Sequence, residues 1–252
     1  RRTFNVRRPT AVGLRTLKVR RTQRVGVFST GNELVEPGAL LGPGAIYDSN
    51  RVLLLALLRR MGVAARDLGI IRDDPAALAA RLSAAAAEHD VILTSGGVST
   101  GDEDHVKTAV ESIGRLVFWR LGIKPGRPVA MGMIDGKPFL GLPGNPVAVY
   151  VTLVFVVRPL LARLAGATHA PPLGFTVRAA FSYRKRAGRR EFVRASLAQD
   201  ADGTWEARKF PRDGAGMLSS LTETDGLVEL EESRIEVVPG DVVRFHPHEA
   251  LW

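Results

Sequence analysis

Short apolar runs that alternate with helical patterns constrain this chain more than any other feature. Residues Arg24-Val25-Gly26-Val27-Phe28-Ser29 read as a strand, 63–71 as a second, and Val91-Ile92-Leu93 as a short buried third. Between them, Asp48-Ser49-Asn50 offers N-caps to an apolar helix over 51–61, with Gly62 just past its end. Asp74 is a cap and Pro75 a first helical residue for an Ala-rich helix over 76–88. A helix over 105–113 and strands over 116–119 and 129–133 continue the series. Strands that alternate with helices build right-handed βαβ units, hence an α/β fold with a mostly parallel sheet and helices on both faces.

After 168–172, a linker with two prolines, the pattern changes. Strand candidates over 174–181, 191–197, 204–209, 226–230 and 241–245 are separated by turns such as Ala201-Asp202-Gly203 and Pro239-Gly240. The expected division is a remnant of a preceding domain or an arm over 1–23, an α/β domain over 24–167 and a small all-β domain over 173–252. Each of the last two is expected to bury its own core, so the first should melt cooperatively when cut near Gly166. The helix running from Pro146 through Leu164 is apolar almost all round, which implies deep burial or an oligomer interface, and Pro159 should kink or break it.

The loop Thr94-Ser95-Gly96-Gly97-Val98-Ser99-Thr100-Gly101-Asp102-Glu103-Asp104 joins the third strand to its helix. In open α/β sheets ligands sit past the carboxyl ends of the strands. Gly96, Gly97 and Gly101 let backbone amides approach a ligand, Ser95 and Ser99 add hydroxyls, and the acids that follow suit a hard cation. Amides with carboxylates suggest a phosphate ligand with Mg²⁺; helix capping by the acids is the competing reading. Asp73 ends a strand and no cap explains it, whereas Glu33 alone reads as a turn residue and Asp48 as a cap. Lys124-Pro125-Gly126-Arg127 fits a type II turn that would clamp two cations together, with Arg120 within reach, for an anion. Asn145 reads as the N-cap of the helix begun by Pro146. His246 and His248 would share one strand face, with no further metal ligand in view.

The net charge of +9 directs attention to anionic partners, yet the basic runs lack interleaved aromatics and match no nucleic-acid module, so no nucleic-acid partner is expected. The absence of cysteine excludes a disulfide framework and thiolate metal sites, and is compatible with a reducing compartment; a cytoplasmic protein is expected. No apolar run is judged long enough to span a bilayer, so no membrane partner is expected.

Ser29-Thr30-Gly31-Asn32-Glu33-Leu34, Ile46-Tyr47-Asp48-Ser49-Asn50, Gly69-Ile70-Ile71-Arg72-Asp73-Asp74, Ser95-Gly96-Gly97-Val98-Ser99, Lys124-Pro125-Gly126 and Leu142-Pro143-Gly144-Asn145-Pro146 occur in one order from about Arg24 to Gly166. Together they resemble the molybdopterin molybdenumtransferase family, the MoeA-type proteins with gephyrin's E domain as a relative. The all-β part resembles that family's small C-terminal barrel.

The resemblance implies Mg²⁺-dependent insertion of molybdate into adenylylated molybdopterin, with release of AMP. It also implies a homodimer and an adenylyltransferase partner. By position it makes Glu33, Asp73, Asp104, Lys124 and Arg120 the catalytic set, with Asp73 and Asp104 as metal ligands. Thr30, Ser95, Gly96, Gly97, Ser99, Gly101, Arg127, Pro143, Asn145 and Pro146 become substrate-binding. Arg120 and Arg127 depart from the lysines of relatives, which keeps the charge and changes the donor geometry. Two regions that precede the matching part in the family have at most a remnant in 1–23. A pterin adenylyltransferase and a non-catalytic scaffold are the alternative readings of the same fold.

Overall fold

The computed structural model describes residues 2–4, 13, 17–98 and 105–251. Near the start, Arg2–Phe4 pairs antiparallel with Leu17–Val19. The main sheet uses β1 (Arg24–Thr30), β2 (Ala64–Ile71), β3 (Val91–Ser95) and β4 (Gly114–Arg120). After a two-residue strand, β5 (Ile123–Lys124), it continues with β6 (Pro128–Ile134) and β7 (Lys137–Leu142). The strand order is β2-β1-β3-β7-β6-β4. β1 runs parallel to β2 and β3, and β3 parallel to β7, while β6 is antiparallel to both its neighbours. The expected mostly parallel α/β sheet is what forms.

Successive strand residues face opposite ways, so a sheet covered on both faces needs apolar residues at every position. Phe28, Ile92 and Phe139 enter one core, with Leu78 and Leu82 of α2 (Pro75–Glu88) and Val106 and Val110 of α3 (His105–Ile113). Their neighbours Val27, Leu93 and Leu140 enter the other core, with Leu54 and Leu58 of α1 (Ser49–Arg60) and Val149 of α4 (Pro146–Thr152). The caps form as expected at two helices: Asp48 accepts from Arg51 N, and Asp74 accepts from Ala77 N at 2.7 Å. Asn145 makes no side-chain cap bond; the amide of Val147 instead donates to Ala215 O at 3.1 Å, from the second sheet's domain.

Pro159 neither breaks nor ends its helix. Between α4 and α5 (Arg158–Ala165) the chain makes one π-helical turn, Leu153–Val157, in which Arg158 N donates to Leu153 O. The wider turn accommodates a proline that cannot donate and whose ring would otherwise meet the carbonyl of Phe155. Pro146–Ala165 is thus one 20-residue helix, and an 18-residue stretch of it has a mean hydropathy of 1.9. By length and composition it could cross a membrane, contrary to the sequence expectation. Every residue of α4 is nonetheless buried within the fold.

The second sheet contains β8 (Phe175–Ala179), β9 (Arg190–Gln199), β10 (Trp205–Lys209), β11 (Gly226–Leu230) and β12 (Val242–Pro247). Its order is β10-β8-β12-β11-β9, and pairing of β9 with β10 closes it into a five-stranded barrel. β5 joins as an extra strand, parallel to the start of β9, with Ile123 opposite Arg190 and Lys124 opposite Glu191. The barrel has an interior of Val177, Ala195, Val228 and Phe245. The two parts also share a core: Tyr150, Val151 and Val154 pack with Phe192, Leu227 and Leu251. Phe155 stacks on Phe192 at 4.0 Å between ring centroids. The expectation of two separately buried cores therefore accounts for the interiors but not for this joint. The helix is apolar all round because the main sheet covers one face and the barrel another.

Candidate functional site

A cleft of about 320 Å³ opens at the carboxyl ends of β1 and β3 and is lined by Thr30, Glu33, Asp48, Asn50, Ser95 and Asn145, among others. The N-termini of α1 and of the Pro146–Ala165 helix both border it, so two helix dipoles favour an anion there, although Asp48 already takes the amide of Arg51 and Ala215 O that of Val147. Gly96 lines it at φ +86°, and Gly97 follows at φ +67°. A Cβ at Gly96 would lie 2.4 Å from Thr30 O, and one at Gly97 would lie 2.4 Å from both Thr30 Oγ1 and a Val106 methyl. No side chain fits there. The turn is held by Gly96 N donating to Leu142 O (3.1 Å), Ser95 Oγ to Pro143 O (3.4 Å) and Asn50 Nδ2 to Gly144 O (2.6 Å).

Two polar atoms of the cleft are buried without partners among the described residues: Thr30 Oγ1 and Asn50 Oδ1. A buried polar group without a partner costs about 1–3 kcal/mol, which a bound ligand can offset. Beneath the cleft, Asp48 accepts from Ser29 Oγ at 3.0 Å and Arg51 Nε at 2.8 Å. Arg51 also binds Asp67 and Glu36, which ties the loop after β1 to β2. These carboxylates hold the Arg51 guanidinium above its ordinary pKa, even though burial, the largest influence, works the other way.

Glu33 is exposed on that loop, its carboxylate folded back over Gly31. Asp73 meets the same loop through a reciprocal pair, accepting from Asn32 N at 3.3 Å while its own amide donates to Asn32 Oδ1 at 3.3 Å. The structure therefore brings Thr30, Glu33, Ser95, Gly96, Asn145 and Pro146 into one cleft, with Gly97 packed against Thr30, Pro143 O bonded to Ser95 and Asp73 on the adjoining loop. Ser99, Gly101 and Asp104 lie outside the described residues.

The cations expected to form a clamp are arranged differently. Lys124 belongs to β5, its bond to Pro125 is cis, and 124–127 forms no hydrogen-bonded turn. Lys124 Nζ lies 3.1 Å from Glu191 Oε2 and donates to Tyr183 O–H at 3.1 Å. Burial opposes the charge on each of Lys124 and Glu191, but their mutual bond and those of Tyr183 and Arg189 prevail: Lys124 is raised and Glu191 lowered. Arg120 and Arg127 are exposed, and Leu121 N donates to Arg127 O at 2.9 Å. Neither arginine lines the cavity that Lys124 borders.

Lys124 instead borders a second cavity of about 350 Å³ between the α/β part and the barrel, with Val147, Tyr183, Glu191, Arg194, Lys209 and Ala215. Arg194 is the residue that sequence reasoning missed. It is 9% exposed, donates to Ser220 Oγ (2.7 Å) and Arg212 O (3.2 Å), and makes no direct ion pair among the described residues, although the Asp213 carboxylate is near enough to favour its charge. Burial pushes its pKa down. A cation so placed is a ready anion ligand. The signal available beforehand was a charge inside the strand Glu191-Phe192-Val193-Arg194-Ala195. The two cavities are neighbours, since Pro146 and Gly216 line one while Val147 and Ala215 line the other. His246 and His248 do not form a site. His246 Nε2 is 2.7 Å from Glu229, and His248 starts a 3₁₀ turn, bonded to Tyr150 and Thr224.

A cleft of helix N-termini at the ends of parallel strands, joined to a cation-lined cavity against a barrel, defines a two-part anionic-ligand-binding α/β protein. Comparison with known proteins narrows the class. Residues 26–163 match the family described as "Probable molybdopterin binding domain", and residues 176–248 match the "MoeA C-terminal region (domain IV)". A molybdopterin molybdenumtransferase of Haemophilus influenzae is 36% identical, covering 96% of this chain and 60% of its own length. Molybdopterin molybdenumtransferase 2 of Mycobacterium tuberculosis is 35% identical, over 91% of this chain and 58% of its own. The crystal structure of a molybdopterin biosynthesis MoeA protein from Pyrococcus horikosii superposes with a TM-score of 0.79 at 32% identity, over 94% of this chain and 57% of that one. The chain belongs to the MoeA-type family of molybdenum cofactor biosynthesis proteins, and it spans about three fifths of the length of these relatives.

Proposed function

We propose that this chain carries the pterin and oxyanion sites of a molybdopterin molybdenumtransferase, which inserts molybdate into adenylylated molybdopterin and releases AMP. The observation that supports this most is the adjacency of two unlike cavities across Pro146-Val147 and Ala215-Gly216. The first suits a phosphorylated pterin: helix amides for the phosphate, and Thr30 Oγ1 and Asn50 Oδ1 for donors on the ligand. The second suits a compact oxyanion, with Arg194 and Lys124 as charged donors. Arg120 and Arg127, exposed near that mouth, attract molybdate at longer range. In this reading the oxyanion enters beside the barrel and meets the pterin where the cavities adjoin. The chain's groups act by holding two anions together, not by covalent attack: there is no cysteine, and Ser95 Oγ is turned toward Pro143 O.

Magnesium is part of the reading. The donor chemistry fits: Asp73 spends one oxygen on a long bond to Asn32 N and keeps the other without a described partner. No group of three possible metal ligands occurs among the described residues; the family resemblance makes Asp104 the second ligand beside Asp73. A bound Mg²⁺ would withdraw charge from the phosphoanhydride. A homodimer and exchange with the preceding adenylyltransferase belong to the same proposal.

The test is AMP release and molybdenum cofactor formation from adenylylated molybdopterin and molybdate, on this chain and on a longer protein that includes it. Molybdate-dependent AMP release supports the proposal. Formation of adenylylated pterin from ATP would favour the adenylyltransferase reading instead. Neither reaction, in a folded longer protein, would leave a scaffold.

A further inference from the structure

We propose that Glu191 of the barrel is a positioning residue that aims Lys124 at the oxyanion, an inference that rests on the functional reading above. Glu191 is 1% exposed, and its carboxylate is surrounded by donors: Tyr183 O–H at 2.7 Å, Arg189 Nε at 2.7 Å and Lys124 Nζ at 3.1 Å. Tyr183 closes the figure, since its oxygen accepts from Lys124 while its proton goes to Glu191. The backbone imposes the same proximity, because Lys124 lies opposite Glu191 in the parallel pairing of β5 with β9.

An ammonium has three protons to donate. Two are taken by Glu191 and Tyr183, which leaves one and fixes its direction. Without those bonds, lysine's four-carbon stem would sample many rotamers, and the charge would occupy no particular place. Glu191, Tyr183 and Lys124 all border the cavity that also holds Arg194.

A carboxylate is otherwise the wrong group to bury beside an oxyanion, which it repels. That contradiction makes the inference testable by sign. Glu191→Gln keeps the size of the side chain and removes one negative charge beside the cavity. If charge alone mattered, molybdate would bind more tightly. If Glu191 positions Lys124, molybdate binds about tenfold more weakly, the loss expected for one charge-assisted bond. Tyr183→Phe is the second variant; it preserves every charge at neutral pH and removes one tether, for an expected loss of about threefold.

The experiment is calorimetric titration of sodium molybdate into the wild-type chain and both variants, at a temperature where circular dichroism shows each to be folded. Should Glu191→Gln fail to fold, Tyr183→Phe decides the question. Weaker binding in a folded variant supports the inference, since a merely structural role would lower the melting temperature and leave binding unchanged. Unchanged or tighter binding in Glu191→Gln, or in Tyr183→Phe when only that variant folds, overturns the positioning role alone. A wild-type chain that does not bind molybdate overturns the functional reading and this inference with it.

Discussion

Replacing Phe192 by Ala tests whether the α/β part and the barrel unfold as one. Phe192 is 4% exposed and belongs to β9, yet its ring stacks on Phe155 of the long helix at 4.0 Å and 22° between planes. It also packs with Tyr150, Val151 and Val154 from the helix and Leu227 and Leu251 from the barrel. Emptying a buried Phe site costs about 3–5 kcal/mol, and a lost aromatic pair places this change toward the upper end. Single domains have about 5–15 kcal/mol of stability in total, so the shift should be large. The assay is denaturant unfolding read by two signals. Far-ultraviolet dichroism reports the helices, nearly all of which belong to the α/β part, and fluorescence of Trp205, with the other tryptophans replaced, reports the barrel. Because the mutated ring lies in the shared core, both midpoints should fall together. If the barrel signal moves and the helical signal keeps its wild-type midpoint, the joint contributes nothing and the two parts are independent, as the sequence suggests.

Three further outcomes follow from the site and its surroundings. Gly97→Ala should lower stability by about 2 kcal/mol or more and abolish pterin-phosphate binding, since the new methyl lies 2.4 Å from Thr30 Oγ1 and from Val106 at φ +67°; melting and ligand titration check both. Arg194→Met should weaken molybdate binding at least tenfold in a titration while costing little stability, because the cation it removes is desolvated and makes no direct ion pair among the described residues. His248, driven down from 6.5 to about 4 by burial, is neutral in the folded chain. The unfolded chain therefore binds the extra proton first. Stability attributable to His248 is complete above pH 6.5 and falls by about 2–3 kcal/mol as pH drops to about 4, a slope that His248→Asn should flatten in pH-dependent unfolding.

What could be read in the sequence was whatever a dozen neighbouring residues decide. Asp48 and Asp74 cap their helices because a cap depends on three residues of spacing. Gly96 and Gly97 approach Thr30 closely because a strand–turn–helix unit packs back onto its own sheet. The barrel strands matched closely, since turn residues mark their ends. What could not be read depends on residues far apart in the chain. Lys124 and Glu191 are 67 positions apart, and only the pairing of β5 with β9 brings them together; a local turn rule assigned the lysine to a clamp instead. Arg194 looked like one more basic residue because its burial comes from packing against Phe210 and Ser220. The shared core was hidden for a related reason. An all-round apolar helix announces that something covers it but not what does, and here the cover is the next domain.

The two-residue strand β5 has a consequence for how sequences of this family can change length. Side chains alternate sides along a strand, so a single inserted residue between Leu121 and Lys124 would turn the lysine away from Glu191 and bring a different side chain to the cavity. No compensating mutation at one site could repair that. This segment should therefore keep the same number of residues in every relative that retains the chemistry. The Ala201-Asp202-Gly203 turn at the far end of β9, which only joins that strand to its antiparallel neighbour β10, is free to grow and shrink.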